Sequence, residues 1–283
     1  MSPAFYILPL LIAVLFVLER RFPLRTAKTS LADRLPVNVG LGASALITAL
    51  LVVKPLASAA WDLETRYPLG VLHLMSMPLA VEAVLTFLLF DLSFYYWHRA
   101  NHRVPFLWRL HVVHHIDPDL DVTTTFRFHC GEVALSAGFR ALQIVLIGGS
   151  IPAAIAYELA FQVNTALQHS NLRLPIRMEQ WLNLVIVTPR MHGIHHSKNQ
   201  HENNSNWSSV FSFWDRLHRS LRLDIPQSRL DIGIPGYAGP TDNRFRNTLL
   251  MPFGKQRDYW QGPIDETAIR APLPAKGRQT PQE

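Results

Sequence analysis

The segment Pro189-Arg190-Met191-His192-Gly193-Ile194-His195-His196 contains three histidines in the spacing His-x-x-His-His. The same spacing occurs in Leu110-His111-Val112-Val113-His114-His115, and His98-Arg99-Ala100-Asn101-His102 places two histidines four residues apart. On an α-helix, residues i, i+3 and i+4 lie on one face, so each cluster can direct its imidazoles at one point. Neutral imidazole is the commonest protein ligand for metals such as iron and zinc. The repeated spacing therefore predicts a metal site, against the alternative of ordinary hydrogen-bonded histidines.

The composition is that of a membrane protein. Of the 283 residues, 48% are hydrophobic and only 17% are charged, and the mean hydropathy is +0.09. The net charge of +6 can indicate nucleic-acid binding, but its distribution next to apolar runs favours an anionic membrane surface. A single cysteine, Cys130, excludes an internal disulfide framework and a cysteine-based metal site.

Four apolar stretches divide the chain. Residues 5–18 predict a first membrane helix, residues 37–53 a second, and residues 78–97 a third that leads directly into His98. Residues 132–168 are interrupted at 148–152 by glycines and a proline, which favours a hairpin that enters and leaves the membrane on one side. The prediction is an all-α integral membrane bundle of about four transmembrane or re-entrant helices, with a cytosolic helical cap that carries a histidine-rich dimetal site.

Charged and polar segments orient these helices. The basic loop within residues 20–34 is expected on the cytoplasmic side, by the rule that basic loops remain inside. Residues 61–68 are expected to form a short external loop. Thr188 and Pro189 resemble an N-cap followed by proline at the first helical position, which predicts a new helix for the last histidine cluster. From about residue 226, proline, glycine and charged residues predict little regular structure.

Asp91 lies inside the third apolar run, seven residues before His98. A carboxylate within a membrane helix is costly and usually functional. We therefore expect Asp91 to accept a hydrogen bond from a metal-bound imidazole. The alternative is a buried aspartate that caps or pairs locally.

The order of the motifs resembles that of the sterol desaturase and fatty acid hydroxylase superfamily, and its bacterial branch in particular. The order is His-x-x-x-His, His-x-x-His-His, a lone histidine, and His-x-x-His-His. The flanking segments 91–99, 107–111, 188–192 and 214–217 agree with it. The resemblance covers residues 78–222, expected to be the catalytic domain, with N-terminal membrane helices in 1–77 and a cytosolic extension in 223–283.

The resemblance implies a cytosolic di-iron centre held by histidines. The ligands expected from it are His98, His102, His111, His114, His115, His129, His169, His192, His195 and His196. His129 is included because many members have His-Pro-x-Glu at this position; here Cys130 replaces the proline and Glu132 is retained. Some hydroxylases have a further histidine at the position of Thr165, which implies an open metal position here. Asp91, Asn171 and Asn206 are the candidate catalytic-site residues, and Asp215 is a further candidate, although each could instead cap a helix or a turn.

The resemblance also implies the reaction and its partners. The expected enzyme uses O2 to hydroxylate or desaturate a membrane lipid in the bacterial inner membrane, with two iron ions as cofactor, although zinc could be found in purified protein. Because the chain has no flavin, haem or ferredoxin motif, a separate reductase, ferredoxin or cytochrome is expected to supply electrons. No nucleic acid is expected as a partner.

Two other functions fit some of these features. A histidine-rich metal-binding or metal-transport protein would need polar residues within the membrane runs, whereas the histidines cluster beyond their ends. A zinc hydrolase typically places a glutamate beside its histidines, as in His-Glu-x-x-His, and no cluster here has one.

Overall fold

The computed structural model describes residues 4–261. Within them the chain is helical, and the β-pairing is limited to three isolated bridges. The α-helices are α1 (Ala4–Arg21), α2 (Leu31–Thr48), α3 (Lys54–Arg66), α4 (Leu79–Arg103), α5 (Pro105–His115), α6 (Cys130–Ile147), α7 (Ile151–His169), α8 (Ile176–Leu182), α9 (Pro189–His195), α10 (Gln200–Asn203), α11 (Phe213–Leu217) and α12 (Phe245–Leu250). The predicted all-α class is confirmed.

Three helical segments are long and apolar enough to cross a membrane, judged by length and composition: Leu31–Leu74, Leu79–Arg103 and Cys130–Ile147. Large apolar side chains on these segments are exposed, as Leu51 on the first and Leu142 and Leu146 on the third illustrate. Exposed side chains of this kind are suited to a lipid environment. The chain is therefore an integral membrane helical bundle, as predicted; α1, the predicted first membrane helix, forms but is not among these three segments.

The second apolar run continues further than the sequence predicts. Instead of ending before Pro55, the helix widens into a π-helical turn at Ala49–Val53 and proceeds as α3 to Arg66. Widening just ahead of Pro55 relieves the clash between a proline ring and the carbonyl four residues earlier. The predicted external loop at residues 61–68 is therefore wrong, since α3 buries Ala60 and packs Trp61 against the core.

The predicted break near residue 150 forms the turn of a helical hairpin. Gly148 and Gly149 adopt φ values of 69° and 99°, which only glycine adopts readily. A Cβ on Gly149 would lie 2.1 Å from Oγ1 of Thr86, so the turn also packs too closely on α4 for a side chain. The hairpin brings Glu132 near the start of α6 and His169 at the end of α7 to the same end of the bundle.

The segment after α11 packs against the helices that carry histidines. Ile225, Leu230 and Ile232 form one apolar cluster with Leu120 and Ile194. Ile234 and Tyr237 form another with Trp108 on α5. Short 3₁₀ turns and α12 supply its regular structure. The remainder of the predicted C-terminal extension, from residue 262, lies outside the described residues.

A buried ion pair connects α2 to the loop that follows α5. Arg34 donates from Nε to Asp117 Oδ1 at 2.6 Å and from Nη1 to Asp121 at 2.8 Å. Arg127 donates to the amide oxygen of Asn38 and to the carbonyl of Val113. The N-terminal helices are therefore joined by buried polar contacts to the region that holds the histidines.

Candidate metal centre

The structure gathers nine histidines into two adjacent groups. In each group the facing imidazole nitrogens all lie within 4.8 Å of one another. The first group consists of His98, His102, His111, His115 and His195, and the second of His114, His169, His192 and His196. Only His102 is partly exposed; the others are buried.

Each His-x-x-His-His motif contributes to both groups. On α5, His111 and His115 face the first group while His114 faces the second. The motif that begins on α9 has the opposite arrangement, because His192 and His196 face the second group and His195 faces the first. The expectation that each motif directs its imidazoles at one point is therefore wrong: each helix lies between two sites.

The outer nitrogen of several rings is fixed by an acceptor. Nδ1 of His98 donates to the carbonyl of Trp207 at 2.8 Å, and Nδ1 of His195 donates to that of Ser205 at 2.8 Å. In the second group, Nδ1 of His114 donates to Arg127 O and Nδ1 of His169 to Thr165 O. Carbonyl oxygens only accept, so the proton of each neutral ring lies on Nδ1 and Nε2 presents a lone pair.

Within each group, Nε2 atoms of neighbouring rings face one another at short range. The Nε2 atoms of His169 and His114 are 2.9 Å apart, and those of His169 and His192 are 3.0 Å apart. In the first group, Nε2 of His115 lies 3.2 Å from that of His111. The lone pairs of His114 and His169 are both fixed toward each other and repel at this distance unless a cation lies between them, so the donor set of the second group fits a bound metal ion. The five clustered imidazoles of the first group offer the same kind of donor set.

Burial lowers the pKa values of several of these imidazoles. Desolvation lowers the pKa of His195 to about 3, although its hydrogen bond to Ser205 opposes this. Desolvation, with the neighbouring histidines, lowers the pKa values of His114, His192 and His196 well below the usual range. Neutral rings are the form that coordinates metals.

Two side chains next to the histidines complete their surroundings. Glu132 Oε1 accepts a hydrogen bond from Nδ1 of His111 at 2.7 Å, and the side-chain nitrogen Nδ2 of Asn203 lies 3.2 Å from Nδ1 of His115. A carboxylate on the outer nitrogen orients the ring and makes the inner nitrogen more basic. Asn203 was not a candidate from sequence, because one asparagine in a polar stretch carries no signal of its own.

His129, by contrast, lies outside both groups. Its Nε2 donates to the carbonyl of Leu249 at 3.0 Å, and its Nδ1 accepts from the backbone N–H of Gly131 at 2.9 Å. The residue is the N-cap of α6. Both ring nitrogens thus have protein partners.

Two aspartates brace the segment beside the first group. Asp91 accepts hydrogen bonds from the backbone of Val210 and Phe211 and from the indole of Trp214, and in the described part of the chain none of its hydrogen bonds is to an imidazole. Asp215 accepts from the N–H groups of Trp207 and Ser208 at 3.0 and 2.9 Å, and its burial raises its pKa. The carboxylates fix the backbone whose Trp207 carbonyl holds His98.

The side chains of Asn206 and Asn171 also form hydrogen bonds with backbone groups and not with imidazoles. Asn206, at φ 55°, donates to the carbonyls of Met191 and Arg222. Asn171 exchanges two hydrogen bonds with the backbone of Arg25. Thr165 contributes its carbonyl to His169, while its hydroxyl is buried and has no hydrogen-bond partner among residues 4–261.

A cavity of about 580 Å³ opens on both groups of histidines. Its walls come mainly from α4, α6 and α7, and Phe90, Phe94, Trp97, Phe128 and Phe161 make much of its surface aromatic. His98, His111, His114, His169 and His192 line one end. An apolar cavity of this size is typical of a binding site for a small apolar ligand.

Comparisons with known proteins agree with this geometry. Residues 83–220 match the model of the fatty acid hydroxylase family. The ornithine lipid hydroxylase of Rhizobium tropici is 29% identical over 179 residues, which is 63% of this chain and 52% of that protein. Human alkylglycerol monooxygenase is 27% identical over 49% of this chain and 30% of that protein. Human cholesterol 25-hydroxylase is 26% identical over 48% of this chain and 49% of that protein. The matches thus span about half or less of these relatives, and no solved structure matches the chain.

Proposed function

We propose that this chain, whose residues 83–220 match the model of the fatty acid hydroxylase family, is a member of that family and a membrane-bound di-iron enzyme that uses O2 to hydroxylate or desaturate a lipid. The observation that carries the proposal is the position of two buried groups of imidazoles at one end of an apolar cavity. The relatives named above are lipid hydroxylases and a monooxygenase, which supports the same reaction class.

The metal in each group is proposed to be iron. Iron supplies the redox chemistry that O2 activation requires, whereas zinc has none, although zinc could occupy the same ligands in purified protein. The first group offers five imidazoles and the second four. The smaller group is the one next to Thr165, which supports an open position there.

The protein's own part in the reaction is to bind and orient the lipid and to exclude water. The aromatic walls of the cavity hold an acyl or ring system against the histidines. Glu132 fixes the orientation of His111, and Asp215 and Asp91 fix the backbone behind His98. Hydroxylation places one oxygen atom of O2 in a C–H bond, and the other leaves as water after two electrons and two protons are supplied.

The electrons are proposed to come from an acidic carrier protein that docks in a groove rich in arginine. The groove is lined by Arg99, Arg103, Arg190, Arg216, Arg219 and Arg222. Glu179 pairs with Arg190 and Asp224 with Arg222. The other four arginines have no carboxylate within 4.0 Å in the described part of the chain, so the groove has excess positive charge that would attract an acidic partner.

Trp207 connects this groove to the first group of histidines. The guanidinium carbons of Arg99 and Arg103 lie 5.3 and 5.5 Å from its ring centre, and its carbonyl accepts the hydrogen bond from His98. A carrier docked over Trp207 would therefore be one residue from a proposed metal ligand.

The membrane arrangement is proposed from charge. The basic loop within residues 20–34 and the arginine groove favour a cytoplasmic position for the metal centre, in a bacterial inner membrane. The three regions 1–77, 78–222 and 223–283 remain the proposed domain division. The alternative of a metal-transport protein is not favoured, because the relatives are lipid oxygenases and the histidines line a mainly apolar cavity.

Purified protein should be tested by metal analysis and by O2 uptake with an added lipid extract and reduced ferredoxin. The expected result is about two irons per chain and lipid-dependent O2 uptake, with a lipid product that has gained one oxygen or lost two hydrogens. Comparison of the lipids of cells that express the protein with those of cells that lack it would identify the substrate. Zinc-only protein that consumes no O2 with any reductant would disprove the proposal.

A further inference from the structure

The cavity contains buried polar atoms at two separate positions along its length. At the histidine end, Glu132 Oε2, Thr165 Oγ1 and Gln168 Oε1 have no hydrogen-bond partner among the described residues. Nearer the turn of the α6–α7 hairpin, the same is true of Gln143 Oε1 and the Tyr157 hydroxyl. All five residues line the cavity. Because burying a polar atom without a hydrogen bond is destabilising, such atoms indicate where a ligand supplies the missing partner.

The pair at the turn end has the hydrogen-bonding complement of an alcohol. Gln143 uses both N–H bonds of its amide on Phe90 O and Ser93 Oγ, which leaves Oε1 as an acceptor. The Tyr157 ring packs edge-on against the ring of Phe90, at 5.7 Å between ring centres, and Gln143 binds the carbonyl of the same residue; both side chains line the cavity. An alcohol could accept a hydrogen bond from Tyr157 and donate one to Gln143.

The distance between the two groups of unpaired polar atoms is the same along α6 and along α7. Glu132 and Gln143 are eleven residues apart on α6, as are Tyr157 and Gln168 on α7. At the rise of an α-helix this separation is about 16 Å. The wall between them includes the rings of Phe94 and Phe161, whose centres lie 4.5 Å apart with an angle of 59° between the ring planes, together with the ion pair of Arg140 and Glu158.

The charged residues on the cavity wall do not offer an alcohol the same free donor and acceptor. Arg140 and Glu158 form an ion pair with each other, and Glu158 also accepts from Gln162. Arg140 lies 5.2 Å from the ring centre of Phe94. Both carboxylate oxygens of Glu158 are already engaged within the protein, and Arg140, a cation, cannot accept a hydrogen bond from an alcohol, unlike Gln143 Oε1.

We propose that the cavity binds a long lipid alcohol with its hydroxyl between Tyr157 and Gln143 and its oxidised carbon about 16 Å away, at the histidines. The substrate is thus held by a polar group remote from the reaction, and the distance selects the carbon. This inference rests on the proposed function for the position of the reaction, but the binding of the alcohol is independent of turnover.

The test is equilibrium binding of radiolabelled probes to the purified full-length protein under anaerobic conditions. The probes are 1-hexadecanol, its methyl ether and hexadecane. The alcohol should bind most tightly, because the ether cannot donate to Gln143 and the alkane can bond to neither side chain. Tyr157→Phe should weaken alcohol binding roughly tenfold and leave alkane binding unchanged. Tyr96→Phe, which removes a hydroxyl bonded to His218 outside the cavity, is the matched control.

Equal binding of alcohol and alkane to the unaltered protein would overturn the proposal, since water alone would then satisfy the polar pair. So would equal weakening of both probes by Tyr157→Phe, which would indicate a packing defect. With O2 and electrons, alcohols of 14 to 18 carbons should be oxidised at a constant distance from the hydroxyl. Oxidation next to the hydroxyl would reverse the proposed orientation. If no lipid is oxidised but the alcohol preference and its loss are seen, the proposed function fails and the binding site stands.

Discussion

The Nε2 atoms of His114 and His169 lie 2.9 Å apart, while Nδ1 of each ring donates to a backbone carbonyl. With both protons on the outer nitrogens, nothing within the protein separates the two lone pairs. Burial lowers the pKa of His114 well below its usual range, so protonation of that ring does not remove the repulsion at neutral pH. A cation between the rings does, which makes metal binding part of the stability of this region.

Removing the metal should therefore destabilise the protein. A strong chelator should lower the thermal unfolding midpoint by several degrees, because the imidazoles of each group would face one another without a cation. Unfolding of the detergent-solubilised protein, monitored by tryptophan fluorescence before and after chelation, measures this. Iron added back should restore the midpoint, whereas an unchanged midpoint in verified metal-free protein would contradict the prediction.

Substituting one histidine in each group should distinguish the two metal sites. His195→Ala should reduce metal content mainly at the first group and His169→Ala mainly at the second, each leaving about one metal per chain. Both variants should lose activity yet still insert in the membrane. Metal analysis by mass spectrometry gives the stoichiometry. His201→Ala, an exposed histidine outside both groups, should keep both metals, and full metal content in His195→Ala would remove that residue from the ligand set.

Glu132→Gln tests the hydrogen bond to His111. The glutamine can still accept from Nδ1 but carries no charge, so the ring becomes a weaker ligand. Loss of such a carboxylate typically lowers metal affinity about 10–100-fold. Titration of metal-free protein with iron under anaerobic conditions measures the affinity. Glu158→Gln, on the same cavity but not bonded to a histidine, is the control; equal affinities of the two variants would show that the Glu132 charge has no role.

The sequence predicted the parts of the molecule that depend on local spacing. The histidine clusters at 98–102, 111–115 and 192–196, the break at Gly148 and Gly149, and the all-α class follow from helical periodicity and from backbone freedom. The division of each His-x-x-His-His motif between two groups does not, because neighbours at i+3 and i+4 share a face whether they bind one ion or two. Only the position of α9 relative to α5, which brings His195 to His115 and His196 to His114, decides that.

The partners of the imidazoles were harder to predict for another reason. His98, His114 and His195 are held by the carbonyls of Trp207, Arg127 and Ser205, and a carbonyl belongs to every residue. Asp91 was expected to hold an imidazole and instead holds the backbone of the segment after Trp207. A carboxylate in an apolar run signals a buried polar contact, but it does not identify which donor will reach it.

Asp91 should contribute to stability more than to metal binding. Asp91→Ala leaves the buried N–H of Val210 and the part-buried N–H groups of Phe211 and the Trp214 indole without their acceptor, at a cost of up to about 1–3 kcal/mol for each. The thermal unfolding midpoint of Asp91→Ala should fall. The midpoint of Asp91→Asn should fall less, because the asparagine keeps one acceptor oxygen. Near-normal metal content in Asp91→Asn is expected. Loss of metal without loss of stability would return Asp91 to the metal site.

Reversing charge in the arginine groove should slow electron delivery without disturbing the metal centre. Arg99→Glu with Arg103→Glu removes two of the uncompensated cations and introduces repulsion toward an acidic carrier, so oxidation of reduced plant-type ferredoxin should slow at least tenfold at low salt. The effect should shrink as salt rises, because screening weakens the attraction in the unaltered protein. Arg229 is an exposed arginine outside the groove. Arg229→Glu therefore introduces the same kind of charge reversal at a different position and should leave the rate unchanged. Equal rates for all variants, or a loss confined to binding of vesicles that contain anionic lipid, would assign the groove to a different partner.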